Sequence, residues 1–290
     1  MARLFSSTPP RLHWSLSRWQ QMLQRHWYHS AHPQALTRDR SNDAIIACNV
    51  DKIFNAEQVY PCHALTDVNF TIPSGSVQIL MGPSGAGKTT LLLCLAGLLL
   101  PTTGKITVLG RCLNELSSAQ LEQFRRQHIG MVFQESNLLR SLTALENVEA
   151  MLQFRGVYGH AAHRQARELL DAVGLHTHLN HLPRHLSGGQ QQRVSVARAL
   201  AGYPPIILAD EPTASLDSKT GCKVVEFMRH MAKDHGCTVI ITTHDTRILD
   251  VGDRVYHLHD GHLHGGQFEG AHLCDSRANK SILPEFKVSS

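Results

Sequence analysis

VQILMGPSGAGKTTLL, residues 77–92, decides the fold. Residues 77–81 are an extended apolar run. It breaks into a glycine-rich turn ending in Lys88, Thr89 and Thr90, and a leucine-rich helical run follows. Gly82, then Pro83, Ser84, Gly85 and Ala86, then Gly87, Lys88 and Thr89 give the spacing of a phosphate-binding loop. Gly82, Gly85 and Gly87 have no Cβ, so the backbone can curl through φ > 0 and turn its N–H groups inward. A helix starting near Lys88 adds the positive end of its dipole. Lys88 offers a point charge to the β- and γ-phosphates, and Thr89 offers a hydroxyl to Mg²⁺. Strand, loop and helix stand in the order a nucleoside triphosphate site requires.

Working outward, 290 residues hold one large domain or two small ones, and an apolar fraction of 42% is ordinary for a globular chain. The longest apolar run, residues 91–100, is interrupted by Ala96 and Gly97 and falls short of the ~18 residues of a membrane span. Seven scattered cysteines, odd in number and without C-x-x-C spacing, favour free thiols in a reducing compartment over a disulfide framework or zinc site. A net charge of +4 is too small to argue for a nucleic-acid partner.

Residues 1–43 differ from the rest. Trp14, Trp19 and Trp27 lie here, Arg3, Arg11, Arg18 and Arg25 recur, and no acidic residue precedes Asp39. Leu12, Leu16, Trp19, Leu23 and Trp27 fall at helical steps. A basic amphipathic helix on an anionic membrane surface, a targeting segment and a disordered extension all fit this pattern. The domain spans 44–265. Strands are expected at 44–50, 68–72, 77–81, 105–109, 129–133, 206–209, 239–242 and 254–258, with a helical block at about 136–190 between them. This predicts an α/β phosphate-loop core with a mostly parallel sheet, an antiparallel β subdomain and an inserted α-helical subdomain. Residues 266–290 are polar and patternless, a loose tail. His257, His259, His262 and His264 flank the turn Asp260-Gly261 and fit the solvent face of a hairpin better than a metal site.

Two more stretches carry chemistry. Residues 206–211, IILADE, read as a buried parallel strand ending in two carboxylates, where ligands bind in open α/β sheets. Asp210 is placed to hold Mg²⁺ and Glu211 to polarise an attacking water. Ser187, Gly188, Gly189 and Gln190 precede a helical run, with Ser187 as its N-cap. This is a second helix N-terminus open to an anion, far from the first in sequence.

GPSGAGKTT at 82–90, LSGGQ at 186–190 followed by QQRV, and ILADEPT at 207–213 followed by SLD resemble the ATP-binding cassette of ABC transporters. The resemblance covers about residues 44–263. It implies ATP and Mg²⁺ as ligands and a head-to-tail dimer with a second copy or a paralogous cassette. The loop at 82–90 of one subunit would face the Ser187 stretch of the other. It also implies that Gln134, after the strand at 129–133, contacts Mg²⁺ and water, joining Thr89 and Asp210. Asp217 matches the loop that crosses the dimer interface, and His244 matches the histidine at the γ-phosphate. Phe54 sits nearest the adenine-stacking position, with Tyr60 as the alternative. The wording of residues 137–148, with 209–218 and 247–250, is similar to the lipoprotein-release, macrolide-export and cyanobacterial glycolipid-export branch.

The resemblance implies an ATPase on the cytoplasmic face of a membrane. It would power export by separate permease subunits, and those subunits, not this chain, would contact the substrate. A soluble cassette ATPase acting on ribosomes or DNA is the alternative; such proteins usually carry two cassettes or a long coiled-coil insertion, and this sequence has neither. A scaffold that binds ATP without turnover would usually lack the carboxylate or the histidine, and Glu211 and His244 are both present.

Overall fold

The computed structural model describes residues 43–57 and 60–265. The amphipathic pattern at 12–27 and the tail at 266–290 lie outside the described residues.

Two sheets form the molecule. The first is antiparallel: β1 (Asp43–Phe54), β2 (Cys62–Pro73), β4 (Thr103–Val108) and β5 (Arg111–Cys112), in the order β2-β1-β4-β5. The second holds β3 (Val77–Met81), β6 (Ile129–Val132), β7 (Ile206–Asp210), β8 (Thr238–Thr243), β9 (Arg254–His259) and β10 (His262–His264), in the order β10-β9-β3-β8-β7-β6. All its pairings are parallel except β9 with β10. Six α-helices are described: α1 (Lys88–Leu95), α2 (Ser118–His128), α3 (Ala144–Phe154), α4 (Gly159–Ala172), α5 (Gly188–Leu200) and α6 (Ser218–His235). The predicted fold class is thus found.

The parallel strands read as continuous apolar runs because both faces are covered. Val77, Ile79, Ile207, Ala209, Val239 and Ile241 face one core, shared with α3, α4, α5 and α6. Leu80, Ile206, Leu208 and Ile240 face the other, shared with α1 and the antiparallel sheet. In the helical block, Leu145, Val148 and Leu152 of α3 meet Ala162, Ala166, Leu169 and Leu170 of α4 around Val194 and Ala197 of α5. That is the apolar stripe of amphipathic helices, three and four residues apart.

β1 and β2 run further than the apolar pattern indicates. Their pairing continues through Lys52↔Leu65 to Phe54↔Cys62 across several register shifts. Bulges let polar residues stay in the ladder where the periodicity of two breaks down. The C-terminal hairpin turns on Asp260 (φ 46) and Gly261 (φ 79), the two left-handed residues such a turn needs. His257, His259, His262 and His264 are exposed there. Cys62, Cys94, Cys112, Cys222 and Cys237 are free thiols. Among the described residues no helix is long and apolar enough to cross a membrane.

Parallel strands in register end together. Residues 82–87 follow β3, Gln134 lies just beyond β6, Asp210 and Glu211 close β7, and His244 follows β8. All four segments leave the carboxyl edge of one sheet, where open α/β folds place their ligands.

Candidate active site

The loop after β3 is shaped by what surrounds it. A Cβ on residue 82 would lie 2.2 Å from the Leu258 carbonyl oxygen, and one on residue 87 would lie 2.3 Å from that of Ala64. Gly87 also sits at φ 102 as the N-cap of α1, with no side-chain cap. No side chain therefore competes for the amides of the first turn of α1, a cradle suited to phosphate oxygens. The Lys88 ammonium donates to the carbonyl oxygens of Gly82 (2.8 Å) and Pro83 (3.0 Å) and stands 3.6 Å from Glu211 Oε1. A cation on a flexible stem, held by two carbonyls at the mouth of the cradle, suits a polyphosphate.

Asp210 is buried and shared between two hydroxyls. Thr89 Oγ1 donates to its Oδ2 at 2.7 Å, and Thr242 Oγ1 donates to its Oδ1 at 2.6 Å. Register puts Thr242 beside it: Asp210 pairs with Thr242 across β7 and β8. A carboxylate with a neighbouring hydroxyl is the hard oxygen set that Mg²⁺ takes, so the residues fit that ion.

Glu211 leaves the strand in the left-handed region at φ 48. For a residue with a Cβ this costs about 1–2 kcal/mol and needs support from its surroundings. Thr242 supplies it: the Glu211 N–H donates to the Thr242 carbonyl (3.1 Å) and is also 3.0 Å from its hydroxyl oxygen. His244 Nδ1 meets the Glu211 carboxylate at 3.0 Å and 2.9 Å. The carboxylate is 8% exposed and the imidazole 69% exposed, so a shielded carboxylate meets a ring at the open rim.

The stretch at 187–190 is built differently. Ser187 Oγ accepts from the Gln190 N–H (3.2 Å), and Gln190 Oε1 accepts from the Ser187 N–H (2.8 Å), a complete capping box. Gly188 and Gly189 pack beside Ser215 and Leu216; a Cβ on residue 189 would lie 3.2 Å from Leu216 Cδ2. Asp217 follows as the N-cap of α6, accepting from the Thr220 N–H at 3.0 Å. The Thr220 hydroxyl first, then the Thr220 amide and neighbouring backbone amides, hold the Asp217 carboxyl below its usual range. So residues 187–190 and Asp217 share one surface. Among the described residues, no hydrogen bond or ion pair joins them to the phosphate loop of their own chain.

The loop residues 82–90, Asp210, Glu211 and His244 thus come together. Gln134 is exposed and makes no direct hydrogen bond to Thr89 or Asp210. Its neighbours are tied to α5: Gln192 Nε2 donates to Phe133 O, and Arg198 donates to Ser136 O and Asn137 O. Phe54 is 37% exposed, with the Lys52 ammonium 5.2 Å from its ring centre; Tyr60 is 87% exposed. Thr242, Gln192 and Arg198 escape the sequence reading. The signal for Thr242 is a polar residue at 0% exposure inside an apolar strand, which demands a partner.

Fold and loop together define a phosphate-loop nucleoside triphosphatase. The family model described as ABC transporter matches residues 65–214. An uncharacterized ABC transporter ATP-binding protein of Thermotoga maritima is 44% identical over 222 residues, covering 77% of this chain and 94% of its own. The ABC transporter ATP-binding protein YtrE of Bacillus subtilis is 42% identical over 202 residues, covering 70% and 87%. A dimeric structure of the ATP-binding cassette MJ0796, in a post-hydrolysis state with ADP and Pi, matches with a TM-score of 0.73 at 41% identity, covering 76% of this chain and 98% of that one. The chain belongs to the ABC transporter family. It is an ATP-binding subunit and an ATPase, with ATP and Mg²⁺ as its ligands.

Proposed function

We propose that this chain works as a head-to-tail dimer, each ATP lying between the phosphate loop of one copy and residues 187–190 of the other. The dimer powers export through membrane subunits held at the cytoplasmic face. The observation that carries this reading is the pair of separated helix N-termini. One, at Gly87, is joined to a base and a carboxylate; the other, at Ser187, is open to solvent and has no such partners among the described residues of its own chain. A dimeric MJ0796 cassette supports the arrangement.

In this reading Lys88 and the amides of residues 82–90 hold the phosphates. Thr89, Asp210 and Gln134 hold Mg²⁺, which neutralises charge on the phosphate oxygens. Glu211 orients a water in line with the γ-phosphate and accepts its proton; His244 bridges Glu211 and that phosphate. Closure requires the partner's Ser187 and Gly189, so ATP favours the closed state by its differential affinity. Asp217 acts across the interface, and Phe54 supplies a π-face to adenine.

The membrane subunit docks beside residues 137–148. A cavity of about 410 Å³ opens there, lined by Leu98, Met131, Phe133, Met151 and Phe154, and Leu98 and Phe154 are 49% and 63% exposed. The cavity reaches Phe133, next to Gln134, which supports a route from nucleotide to membrane subunit. The sequence wording at 137–148, 209–218 and 247–250 supports the lipoprotein-release and glycolipid-export branch.

The test is Glu211→Gln. The variant should form a stable dimer with ATP by light scattering while turnover falls at least ~100-fold. Wild-type turnover in that variant would remove Glu211 as the base, and a monomer at saturating ATP would remove the dimer.

A further inference from the structure

Gln190 does more than complete a capping box. Its Oε1 accepts from the Ser187 N–H at 2.8 Å, which fixes which end of the amide faces the opposite way. That end, Nε2, lies 3.0 Å from Nε2 of His178. An amide NH₂ only donates, so His178 Nε2 must accept and carries no proton. The ring proton then resides on Nδ1, where Thr177 Oγ1 stands at 2.9 Å to receive it. One tautomer satisfies every contact, and the protonated ring satisfies none at Nε2, where two donors would face each other.

The backbone holds His178 in place. Its N–H donates to Leu175 O (2.9 Å), its carbonyl accepts from His181 N (3.1 Å), and Leu179 O and His181 O accept from the first amides of α3. The charged and titratable groups facing it are Arg193 from α5 and His176 and His181 from its own loop. Arg184 and His185 contact each other on the adjoining turn. Burial first, then His181, Arg193 and His176, push the His178 pKa below its ordinary value. Two carboxylates stand on these neighbours: Asp171 Oδ1 is 3.6 Å from His176 Nδ1, and Asp217 faces Arg193, yet the net push on His178 stays downward.

We propose that His178 is a positioning residue for ATP hydrolysis: its neutral imidazole holds the Gln190 side chain, and through it the N-terminus of α5 that receives the partner's ATP. This rests on the composite site proposed above. Protonation of His178 swaps an acceptor for a donor, releases Gln190 and frees the Ser187 amide. The depressed pKa means the folded, capped state binds the proton less tightly, so the contact is intact at neutral pH and is lost as pH falls through the His178 pKa.

The experiment is ATPase activity of the full chain across about pH 5.5 to 8.5, the window in which histidine titrates, in wild type, His178→Gln and His178→Phe. Glutamine offers an uncharged acceptor at similar reach; phenylalanine offers none. Expected is a wild-type rate that falls at the acid end, a His178→Gln rate near wild type at neutral pH with that fall reduced, and a His178→Phe kcat lower by about fivefold at every pH, the loss of one hydrogen bond. Binding of a fluorescent ATP analogue to the phosphate loop should not change, so the effect falls on kcat. Identical pH profiles for wild type and His178→Gln, or a His178→Phe chain as active as wild type, would overturn the proposal. The composite site fails by a different result: no recovery of activity when Lys88→Ala and Ser187→Ala chains are mixed.

Discussion

The N-termini of α1 and α5 share a task in the proposed dimer and differ in construction. At α1 the cap is Gly87 in a left-handed conformation, with no side-chain acceptor, and the neighbouring cation turns back onto the loop carbonyls. At α5 the cap is Ser187, locked into a box with Gln190. The same box closes α2, with Ser117 and Gln120, and α3, with Thr143 and Glu146. Those two helices have no nucleotide role in the proposed site. A boxed end is thus an ordinary way to start a helix, and in the proposed dimer α5 adds a ligand role to a structural cap. An unboxed end is specialised: it is held by contacts from residues 64 and 258, and it depends on those distant parts of the chain.

The sharpest way to break this contrast is to cripple each end separately and mix the products. Lys88→Ala and Ser187→Ala homodimers should each lose about 100-fold or more in kcat. A mixture should recover turnover neither parent has, yet stay below wild type, because each heterodimer keeps one intact composite site. Equal failure of the mixture in a steady-state phosphate-release assay would place both ends in one chain's site.

A second test concerns dependence on distant contacts. Gly87→Ala needs a Cβ 2.3 Å from a carbonyl oxygen, at φ 102, and should destabilise by more than ~2 kcal/mol in denaturant unfolding. Gly85→Ala, at φ 82 but with nothing within 4 Å, should cost only the conformational penalty of about 1 kcal/mol. Equal losses would show that the walls around residue 87 yield.

A third test sets box against box. Ser187→Ala and Ser117→Ala should each cost about 1 kcal/mol of stability, the value of an N-cap. Only the first should lower ATPase activity. If both chains keep full turnover, the α5 box is structural alone.

The smallest expected effect lies behind the loop. Asp253 accepts from the Val77 N–H at the start of β3 and pairs with Lys233 at 2.6 Å. Burial pushes its pKa up, but the bonds from Lys233 and the Val77 amide outweigh that and leave it below the usual carboxylate range. The ionised form therefore adds stability above the unfolded pKa of about 3.9, lost as pH falls through the folded value. Asp253→Asn should cost roughly 1 kcal/mol at neutral pH. The gap to wild type should narrow below about pH 4 in urea titrations; a gap independent of pH would assign the loss to packing.

Much of this was legible because the chemistry imposes strict spacing. Gly82 to Thr89, the acids after IILA, and LSGGQ are readable since few other residues satisfy loop, metal and cap together. The continuous apolar runs of β3, β7 and β8 declared a sheet covered on both faces. The far halves of β1 and β2 were not legible, because bulges erase the period of two. Neither was the inverted backbone at Glu211, since nothing local announces φ 48; the partner that stabilises it, Thr242, is thirty-one residues away. His178 was hidden among twenty histidines, and only the orientation of the Gln190 amide singles it out.

Gly82 fits its place only because the carbonyl of Leu258 closes in on it. The strand that carries the loop, β3, has β8 and β9 as its two neighbours, so its flanks are made near the end of the described domain. During synthesis the loop therefore leaves the ribosome with its wall at Ala64 made but long before its wall at Leu258 exists. Nucleotide cannot stabilise the nascent chain until β9 has been made. ATP that needs the finished cradle would act as a late fastener on an almost complete domain, not as a seed for its folding.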